Sequence, residues 1–286
     1  MQMILITGAS GSVGREVVRE MQKTGAEFCA MYRSKGEAAK APKGVKTVIA
    51  DFGDVVSMLD ILRGVDRVFL VCSPIRELVE LEGNVIEASK KAGVKWIVLN
   101  SALGAEDYDK SFPSWHRKVE DKLTGSGIEF VILRPNGFMQ NTITYLAPAI
   151  RAQGAFYDAM GEAKTSLVDV RDVAAVAAKV LTTEGHAGQI YELNGPEAVT
   201  QDEVAKRIAE KSGRTVSHVN IPRGAHQKAL LDLGMPDWQV QALIELQDYY
   251  VSGRAATVDG LIEKLLGRSP RALDEFLAEN AMQFHT

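Results

Sequence analysis

The sequence predicts an α/β fold of the Rossmann type, a doubly wound parallel sheet, with a smaller and mostly helical C-terminal region. Short, continuously apolar runs alternate with amphipathic stretches, which is typical of strands buried on both faces and their crossover helices. A glycine-rich turn joins the first apolar run to the first amphipathic stretch. Several predicted helices end at a glycine, as at Gly25 and Gly93.

The first half of the chain contains the regular alternation. Strands are predicted at residues 3–7, 27–32, 46–50, 67–72, 96–100 and 130–133. Helices are predicted between them at residues 13–24, 55–62, 76–92 and 114–124. With right-handed crossovers, this order builds one sheet that has helices on both faces. We expect residues 1–140 to form this Rossmann domain.

The pattern is looser after Pro135. Helices are predicted at 141–152, 170–182 and 200–213, the last of which starts with a capping box. A short strand is predicted within 155–167 and another at 189–193, and the rest is mostly helical with breaks at proline and glycine. We expect residues 141–286 to form a substrate-side region that packs over the open end of the sheet and could return a strand to it.

Composition excludes several classes of protein. The net charge is −4, so no basic surface is expected for nucleic acid or an anionic membrane. No apolar stretch approaches the roughly 20 residues that span a bilayer, and no signal peptide is recognisable. Cys29 and Cys72 lack cysteine or histidine partners at metal spacing, so we expect neither a disulfide framework nor a metal site. These features predict a cytoplasmic protein.

The strongest local motif is T-G-x-x-G-x-x-G at residues 7–14, between a predicted strand and a predicted helix. Gly8 permits the tight turn, Gly11 lets the backbone approach a pyrophosphate, and Gly14 lets the helix pack closely on the strand. The residues expected at the pyrophosphate are Gly8, Ser10, Gly11, Ser12 and Val13. The alternative is a glycine-rich turn that binds nothing. An NTPase is disfavoured because the Lys-Ser/Thr ending of a P-loop is missing.

Arg33 follows the second predicted strand, where an NAD site usually has an acidic residue on the ribose hydroxyl. A guanidinium suits the 2′-phosphate of NADP(H) instead. The sequence therefore predicts NADP(H) as the cofactor. The alternative is a solvated arginine at a strand end.

Two further loops are expected beside the cofactor. Asp51 and Phe52 follow the third strand, where Asp51 could accept a hydrogen bond from the adenine amine or could be an N-cap or turn residue. Cys72, Ser73 and Pro74 follow the fourth strand and should pass beside the ribose and pyrophosphate.

Together, the glycine motif, Asp51 and the Leu133-Arg134-Pro135 run resemble an atypical short-chain dehydrogenase/reductase. The closer resemblance is to the NmrA-like group, which includes NADPH-dependent quinone and triphenylmethane-dye reductases. It covers most of the chain and is firmest over residues 1–140. The resemblance implies that Asn136, Gly137 and Phe138 reach the nicotinamide.

The predicted catalytic helix departs from the Tyr-x-x-x-Lys pattern of classical short-chain enzymes. With Glu120 as the anchor, His116 takes the lysine position and Phe112 takes the tyrosine position. The His-x-x-x-Glu pattern is similar to NmrA-like proteins. Tyr108 is one turn too early and is expected in a loop, while Lys118 is expected to be a surface lysine on the opposite helix face.

Two residues are candidates for chemistry. His116 could hydrogen-bond the nicotinamide ribose, line the pocket, or be a structural histidine. Ser101 matches a serine that the family often has beside the substrate, or it is a helix or turn cap.

These features predict an oxidoreductase that transfers hydride from NADPH to a small electron-poor acceptor, such as a quinone or a conjugated dye. The alternative is a redox-sensing regulatory protein that binds NADP(H) and a protein partner without turnover. A ketone dehydrogenase is disfavoured because the tyrosine is missing.

Overall fold

The computed structural model describes residues 2–285. Its strands are β1 (Ile4–Ile6), β2 (Phe28–Tyr32), β3 (Lys46–Ile49), β4 (Arg67–Leu70), β5 (Trp96–Asn100), β6 (Glu129–Pro135), β7 (Ala155–Asp158), β8 (Ile190–Leu193) and β9 (Ser217–Asn220). The α-helices are α1 (Ser12–Thr24), α2 (Lys35–Ala38), α3 (Val55–Leu62), α4 (Leu78–Ala92), α5 (Ser111–Thr124), α6 (Ala147–Gln153), α7 (Val170–Thr182), α8 (Gln201–Ser212), α9 (Arg223–Asp232), α10 (Asp237–Val251), α11 (Leu261–Leu266) and α12 (Leu273–Glu279). Thr142–Leu146 forms a π-helical turn, and Arg254–Ala256 and Ala281–Phe284 form 3₁₀ turns.

The chain divides into two compact units, each built from several stretches. The first contains the described part of residues 1–106 together with 113–134 and 170–192. The second contains 107–112, 135–169 and the described part of 193–286. Each unit therefore draws on residues from both sides of position 140.

A seven-stranded sheet in the order β3-β2-β1-β4-β5-β6-β8 is the framework of the first unit. The pairings from β3 through β6 are all parallel. The order 3-2-1-4-5-6 is that of a dinucleotide-binding doubly wound sheet, so the predicted fold class is confirmed. The strand order reverses beside β1, which places the crevice for a ligand at the carboxyl ends of these strands.

Both faces of this sheet are buried by helices. One core cluster combines alternate strand residues such as Leu5, Leu70 and Leu99 with apolar residues of α3, α4 and α5. The intervening residues, such as Ile6 and Val98, are also buried, and α1 packs against α7. Burial on both faces explains why the strands are continuously apolar in the sequence.

The second unit has its own core beneath a two-stranded parallel sheet of β7 and β9. Apolar residues of α6, α8 and α12 meet Phe156 of β7 in this core. The predicted capping box at the start of α8 is present: the Thr200 hydroxyl accepts from the Glu203 N–H (3.2 Å), and Glu203 accepts from the Thr200 N–H (2.8 Å).

Four local features differ from the predicted elements. The short helix α2 and the strand β9 were not predicted, and the stretch predicted as a helix from residue 141 begins with the π-helical turn. Strand β4 ends at Leu70, two residues earlier than predicted.

Within residues 2–285, no helix is long and apolar enough to cross a membrane. The same described residues contain no cluster of histidine, cysteine or acidic side chains suited to a metal ion.

Candidate active site

The turn after β1 is shaped by two glycines that leave no room for a side chain. Gly8 has a φ of +57°, and a Cβ there would lie 2.7 Å from Cγ1 of Val71. A Cβ on Gly14 would lie 2.2 Å from the carbonyl oxygen of Gly8, because α1 packs directly on the turn. The Thr7 hydroxyl holds the preceding strand by donating to the Phe69 carbonyl (2.9 Å). The turn therefore has the tight bend and the close helix approach that the motif requires.

The third glycine, Gly11, faces open space. A Cβ there would meet a single atom within 4 Å, the carbonyl oxygen of Gly8 at 3.3 Å. Ser10, Gly11 and Ser12 are exposed, and the first turn of α1 has no acidic residue. Val13 is buried, so it can offer a ligand its backbone N–H alone. A helix N-terminus that is open and free of acidic side chains favours an anion such as a phosphate.

Arg33 follows β2 immediately, and its side chain is exposed. Its backbone N–H donates to Oε2 of Glu37 (3.1 Å), and the Ser34 hydroxyl caps α2 by accepting from the Glu37 N–H (3.2 Å). These bonds hold the backbone of the turn and do not use the guanidinium. The role of Arg33 toward a 2′-phosphate stays a prediction.

Asp51 lies in the turn between β3 and α3. Its Oδ1 accepts from the Gly53 N–H (2.7 Å), and α3 is capped by Asp54. Asp51 is therefore not the N-cap of α3, and its carboxylate lies in a turn. The carboxylate is exposed, so a contact with adenine stays a prediction. Phe52 is buried, and its carbonyl accepts from Nδ2 of Asn84 (3.1 Å).

The loop after β4 begins with a half-buried residue and continues at the surface. Ser73 and Pro74 are exposed, whereas Cys72 is half-buried. Burial, with the nearby Glu82 adding to it, raises the pKa of the Cys72 thiol to about 12, so this thiol is neutral at pH 7. Glu82 of α4 is fully buried, and neither carboxylate oxygen has a hydrogen-bond partner within residues 2–285. Burial raises the pKa of Glu82 to about 8.

A buried ion pair lies at the ends of β5 and β6. Arg134 donates from Nε and Nη2 to the two carboxylate oxygens of Glu120 (3.0 and 2.8 Å) and from Nη1 to Glu106 (2.8 Å). Burial opposes the charge of Arg134, but the bonds to both glutamates outweigh it and raise the pKa. The Ser101 hydroxyl donates to Oε1 of Glu120 (2.5 Å). Ser101 is thus neither a helix cap nor a turn cap, and its proton is engaged by a carboxylate.

His116 of α5 is buried with 7% exposure. Burial lowers the pKa of the imidazole to about 4, so the ring is neutral at pH 7. Its Nδ1 has no hydrogen-bond partner in the part of the chain that the structure describes. Lys118 is exposed, as predicted for a surface lysine.

Strand order divides these residues into two groups along the carboxyl edge of the sheet. The glycine turn, Arg33 and Asp51 follow β1, β2 and β3, which is the side that holds the adenosine half of a dinucleotide in this fold. Ser101 follows β5 and His116 belongs to α5, on the side that holds the nicotinamide half of a dinucleotide in this fold. The chain segment that follows β6, residues 136–138, belongs to the second unit.

In the second unit, the side chain of Asn136 holds the segment 136–138 in place. Its Nδ2 donates to Oδ1 of Asn194 and to the carbonyl of Ala255 (2.9 Å each), and its Oδ1 accepts from the Gly137 N–H (2.7 Å). Both ends of the amide are used within the protein. Asn136 therefore shapes the segment, in which Gly137 and Phe138 are half-buried, and a contact of these residues with the nicotinamide stays a prediction.

Gly137 is closely surrounded. Its carbonyl accepts from the Val168 N–H (2.9 Å). A Cβ on this glycine would lie 3.3 Å from Cδ2 of Leu167, 3.3 Å from the hydroxyl oxygen of Tyr250 and 3.5 Å from Cγ2 of Thr165. The Thr165 hydroxyl is buried and has no hydrogen-bond partner among residues 2–285. These side chains come from a loop and from the last turn of α10, far from Gly137 in sequence.

Tyr108 lies in a loop before α5, as predicted. Its hydroxyl donates to the carbonyl of Glu245 (2.6 Å), and its ring lies 5.2 Å from that of Tyr249. This tyrosine therefore holds its loop against α10.

Comparison with known proteins identifies the family. The NmrA-like family model matches residues 1–277. The chain belongs to the NmrA-like family. The family prediction made from the glycine motif and the Leu133-Arg134-Pro135 run is therefore confirmed.

Two relatives and one solved structure that resemble this NmrA-like chain have informative names. An NAD(P)H azoreductase from Xenophilus azovorans is 35% identical over 284 residues, 99% of both chains. Quinone oxidoreductase 2 from Escherichia coli is 32% identical over 277 residues, 96% of both. A solved NADPH-dependent quinone oxidoreductase from Escherichia coli, complexed with NADPH, has a TM-score of 0.90 and 31% identity, covering 97% of this chain and 99% of that one.

In this NmrA-like chain, sequence reasoning missed the residues around Gly137. Tyr250 and Thr165 were not singled out, because neither lies in a motif and α10 reads as an ordinary helix. The positive φ and crowding at Gly8, in contrast, agree with what the motif predicts. The glycine motif could be recognised because its residues follow one another in a single turn. The residues around Gly137 come together only through tertiary contacts.

Proposed function

We propose that this protein is an NADPH-dependent oxidoreductase that reduces a small, electron-poor acceptor such as a quinone or a conjugated dye. The observation that supports it best is the open, anion-favouring glycine turn followed by an exposed arginine rather than an acid after β2. The names of the relatives agree, since they are an NAD(P)H azoreductase and NADPH-dependent quinone oxidoreductases.

The residues present fit a dinucleotide. The space in front of Gly11 is where a pyrophosphate would lie, and a side chain there would fill it. Ser10, Gly11, Ser12 and the N–H of Val13 would hold the pyrophosphate, and Arg33 would hold the 2′-phosphate. Asp51 and Phe52 would lie beside the adenine, and residues 72–74 beside the ribose. On the nicotinamide side, the unpartnered Nδ1 of His116 is a buried polar atom that a ribose hydroxyl could satisfy.

When bound, NADPH supplies a hydride, and the residues of the chain govern what happens to the proton. Carbonyl reduction needs an acid near the new alkoxide, and classical short-chain enzymes use a tyrosine on the helix that corresponds to α5 for this step. Here Phe112 stands at that position and has no proton to donate. The Ser101 proton is held by Glu120, so we assign Ser101 a positioning role rather than an acid role.

A site without an acid at this position favours acceptors that delocalise the incoming electron pair. Quinones give a stabilised phenolate, and cationic dyes give a neutral product, so both need little proton donation. The protein then has to bind the cofactor, orient the acceptor against it and exclude competing reactions. We also place the protein in the cytoplasm, where the free Cys29 and Cys72 stay reduced.

The test is NADPH oxidation measured with a panel of simple quinones and a panel of plain ketones. We expect turnover with at least one quinone and negligible turnover with ketones. Efficient ketone reduction without quinone activity would contradict the proposed mechanism. Tight NADPH binding without turnover of either panel, together with cofactor-dependent binding of a protein partner, would favour the regulatory function instead.

A further inference from the structure

The second unit contains an open cavity of about 630 Å³, a volume within the range of small-molecule sites. Its lining comes from residues 159–164 after β7, from the end of β9 with the start of α9, and from residues 251–256 after α10. All of these residues belong to the second unit. None of the site residues predicted from the sequence lines this cavity, so it is distinct from the site described above.

The cavity lies at the carboxyl ends of β7 and β9, which form a parallel pair. Loops that leave the carboxyl ends of parallel strands diverge, and the crevice between them is where such sheets bind ligands. Here two hydrogen bonds tie the loops together. The Ile221 N–H donates to the carbonyl of Asp158 (2.8 Å), and the Gly161 N–H donates to Oδ1 of Asn220 (3.0 Å). The walls are therefore held before any ligand arrives.

Three side chains offer hydrogen-bond donors to the cavity. The bond from Gly161 fixes the amide of Asn220, which leaves Nδ2 as its open end. Asp248 accepts from Nε and Nη2 of Arg223 (3.0 Å each), which holds the guanidinium and leaves Nη1 open. Lys164 is exposed. Within residues 2–285, no hydrogen bond is found for the Asn220 Nδ2, the Arg223 Nη1 or the Lys164 ammonium.

The remaining wall is mostly apolar. Met160, Ile221 and Val251 contribute large apolar side chains, and Val251 is 53% exposed. Glu162 has the only carboxylate among the described residues that line the cavity. The first turn of α9 has no acidic residue, so it adds no negative charge beside Arg223. The cavity therefore combines open donors, two of them cationic, with apolar surface that a ligand could cover.

We infer that this cavity binds a small organic anion, in which a carboxylate or sulfonate is attached to a flat apolar body. The anionic group accepts hydrogen bonds from Lys164, Arg223 and Asn220, and the body covers the apolar wall. An inorganic anion would leave that wall exposed, and a neutral ligand would leave the ammonium of Lys164 unpaired. The inference goes beyond the proposed function and does not rest on it.

The test is isothermal titration of the full chain with four ligands, in excess NADP⁺ so that the proposed cofactor site is filled. The ligands are 2-naphthoate, naphthalene-2-sulfonate, the neutral methyl ester of 2-naphthoate, and acetate. We expect at least one naphthalene anion to bind with a Kd at or below about 1 mM, and the ester and acetate to bind at least about fivefold more weakly. The ratio of the two anions identifies the preferred head group.

Two variants place the anion in the cavity. Lys164→Glu should weaken binding of the preferred anion by at least about fivefold, and Glu162→Gln should strengthen it by about two- to fivefold. Both side chains are exposed, so the melting temperature should not change. Lys264→Glu is the matched control, because it makes the same change of charge at an exposed lysine of α11 that does not line the cavity. It should change the Kd by less than about twofold.

Several results would overturn the inference. One is that neither anion binds the wild type up to about 1 mM. Another is that acetate or the ester binds as tightly as the preferred anion. A third is an equal loss in Lys164→Glu and Lys264→Glu, which would show attraction to the whole protein and not to this cavity. Unchanged binding in Lys164→Glu would place the anion elsewhere. Each of these results leaves the proposed function intact, because that is tested by NADPH oxidation.

Discussion

Two glycines define contrasting regions of this molecule. Gly11 opens onto empty space, and a Cβ there would meet a single backbone oxygen. Gly137 is enclosed, and a Cβ there would meet Leu167, Thr165 and Tyr250. The first region is bounded by backbone, whereas side chains from distant parts of the chain surround the second.

The difference shows why a sequence motif reveals one region and not the other. A turn that binds through its backbone has to exclude side chains, so its glycines recur at set spacings in a short motif. A pocket that binds through side chains can recruit them from anywhere in the chain. Cofactor binding should therefore be sensitive to added atoms at the turn.

The largest effect is expected for Gly11→Val. The branched side chain would occupy the space proposed for the pyrophosphate, so we expect NADPH binding to fall by at least about a hundredfold, the equivalent of about 2.7 kcal/mol. The backbone at Gly11, with φ of −77° and ψ of 173°, is accessible to valine, so the fold should persist. Isothermal titration and circular dichroism check the two parts.

Gly224→Val is the matched control, since a Cβ on this exposed glycine of α9 meets no atom within 4 Å. It should bind NADPH normally. A folded Gly11→Val variant that binds NADPH as tightly as the control would show that the turn does not hold the cofactor.

A smaller effect is expected for Arg33→Ala. A charge-assisted contact with the 2′-phosphate contributes about 1.5–3 kcal/mol, so NADPH affinity should fall by roughly ten- to a hundredfold. NADH affinity should hardly change, because NADH has no 2′-phosphate. Titration of both cofactors measures the ratio.

Arg63→Ala is the control, because Arg63 is also an exposed arginine after a regular element and pairs with Asp60 (3.3 Å). It should preserve the preference for NADPH. Equal affinities of the wild type for NADPH and NADH would refute the assignment to Arg33.

The smallest effect is expected for His116→Gln. The imidazole is neutral above about pH 4, because burial lowers its pKa from the ordinary 6.5. It therefore gives no charge to the reaction at pH 7, and glutamine can still offer a polar atom. We expect quinone turnover to fall by less than about tenfold, within the range of losing one or two hydrogen bonds.

The pH profile sharpens this prediction. His116 gains its proton only as the pH falls toward about 4. Its titration should therefore cause no change in the turnover rate between pH 5.5 and 7.5. A wild-type step in that interval that disappears in His116→Gln would show that the imidazole titrates during turnover.

Most regular elements of the first unit were predictable because burial on both faces makes their strands continuously apolar. The bounds of β5 and α3 agree with the prediction, and the other strands of the sheet through β6 differ by one or two residues at an end. The helix α2 was missed because it has a single turn and contains Gly36. Strand β9 was missed because its sequence, Ser217 to Asn220, is polar and mostly exposed.

Only part of the proposed site was predictable from the sequence. The sequence alone pointed to the glycine turn and to Arg33, because a bend with a positive φ and a strand end have local residue requirements. It did not reveal that Ser101 donates to Glu120, since the pairing depends on β5 and α5 lying side by side. It also left open whether Asp51 is an N-cap, and only the structure shows that Asp54, three residues later, caps α3.

The sequence by itself determined the Rossmann-type fold, the family and the place of the glycine turn. Periodicity, turn chemistry and a short motif are local properties, and each is present in a continuous stretch of chain. Only the tertiary structure decided that the Arg134 charge is compensated by Glu120 and Glu106, that Tyr108 is engaged, and that the Tyr250 hydroxyl lies beside Gly137. Those contacts join residues from 14 to more than 110 positions apart, and packing, not local pattern, brings them together.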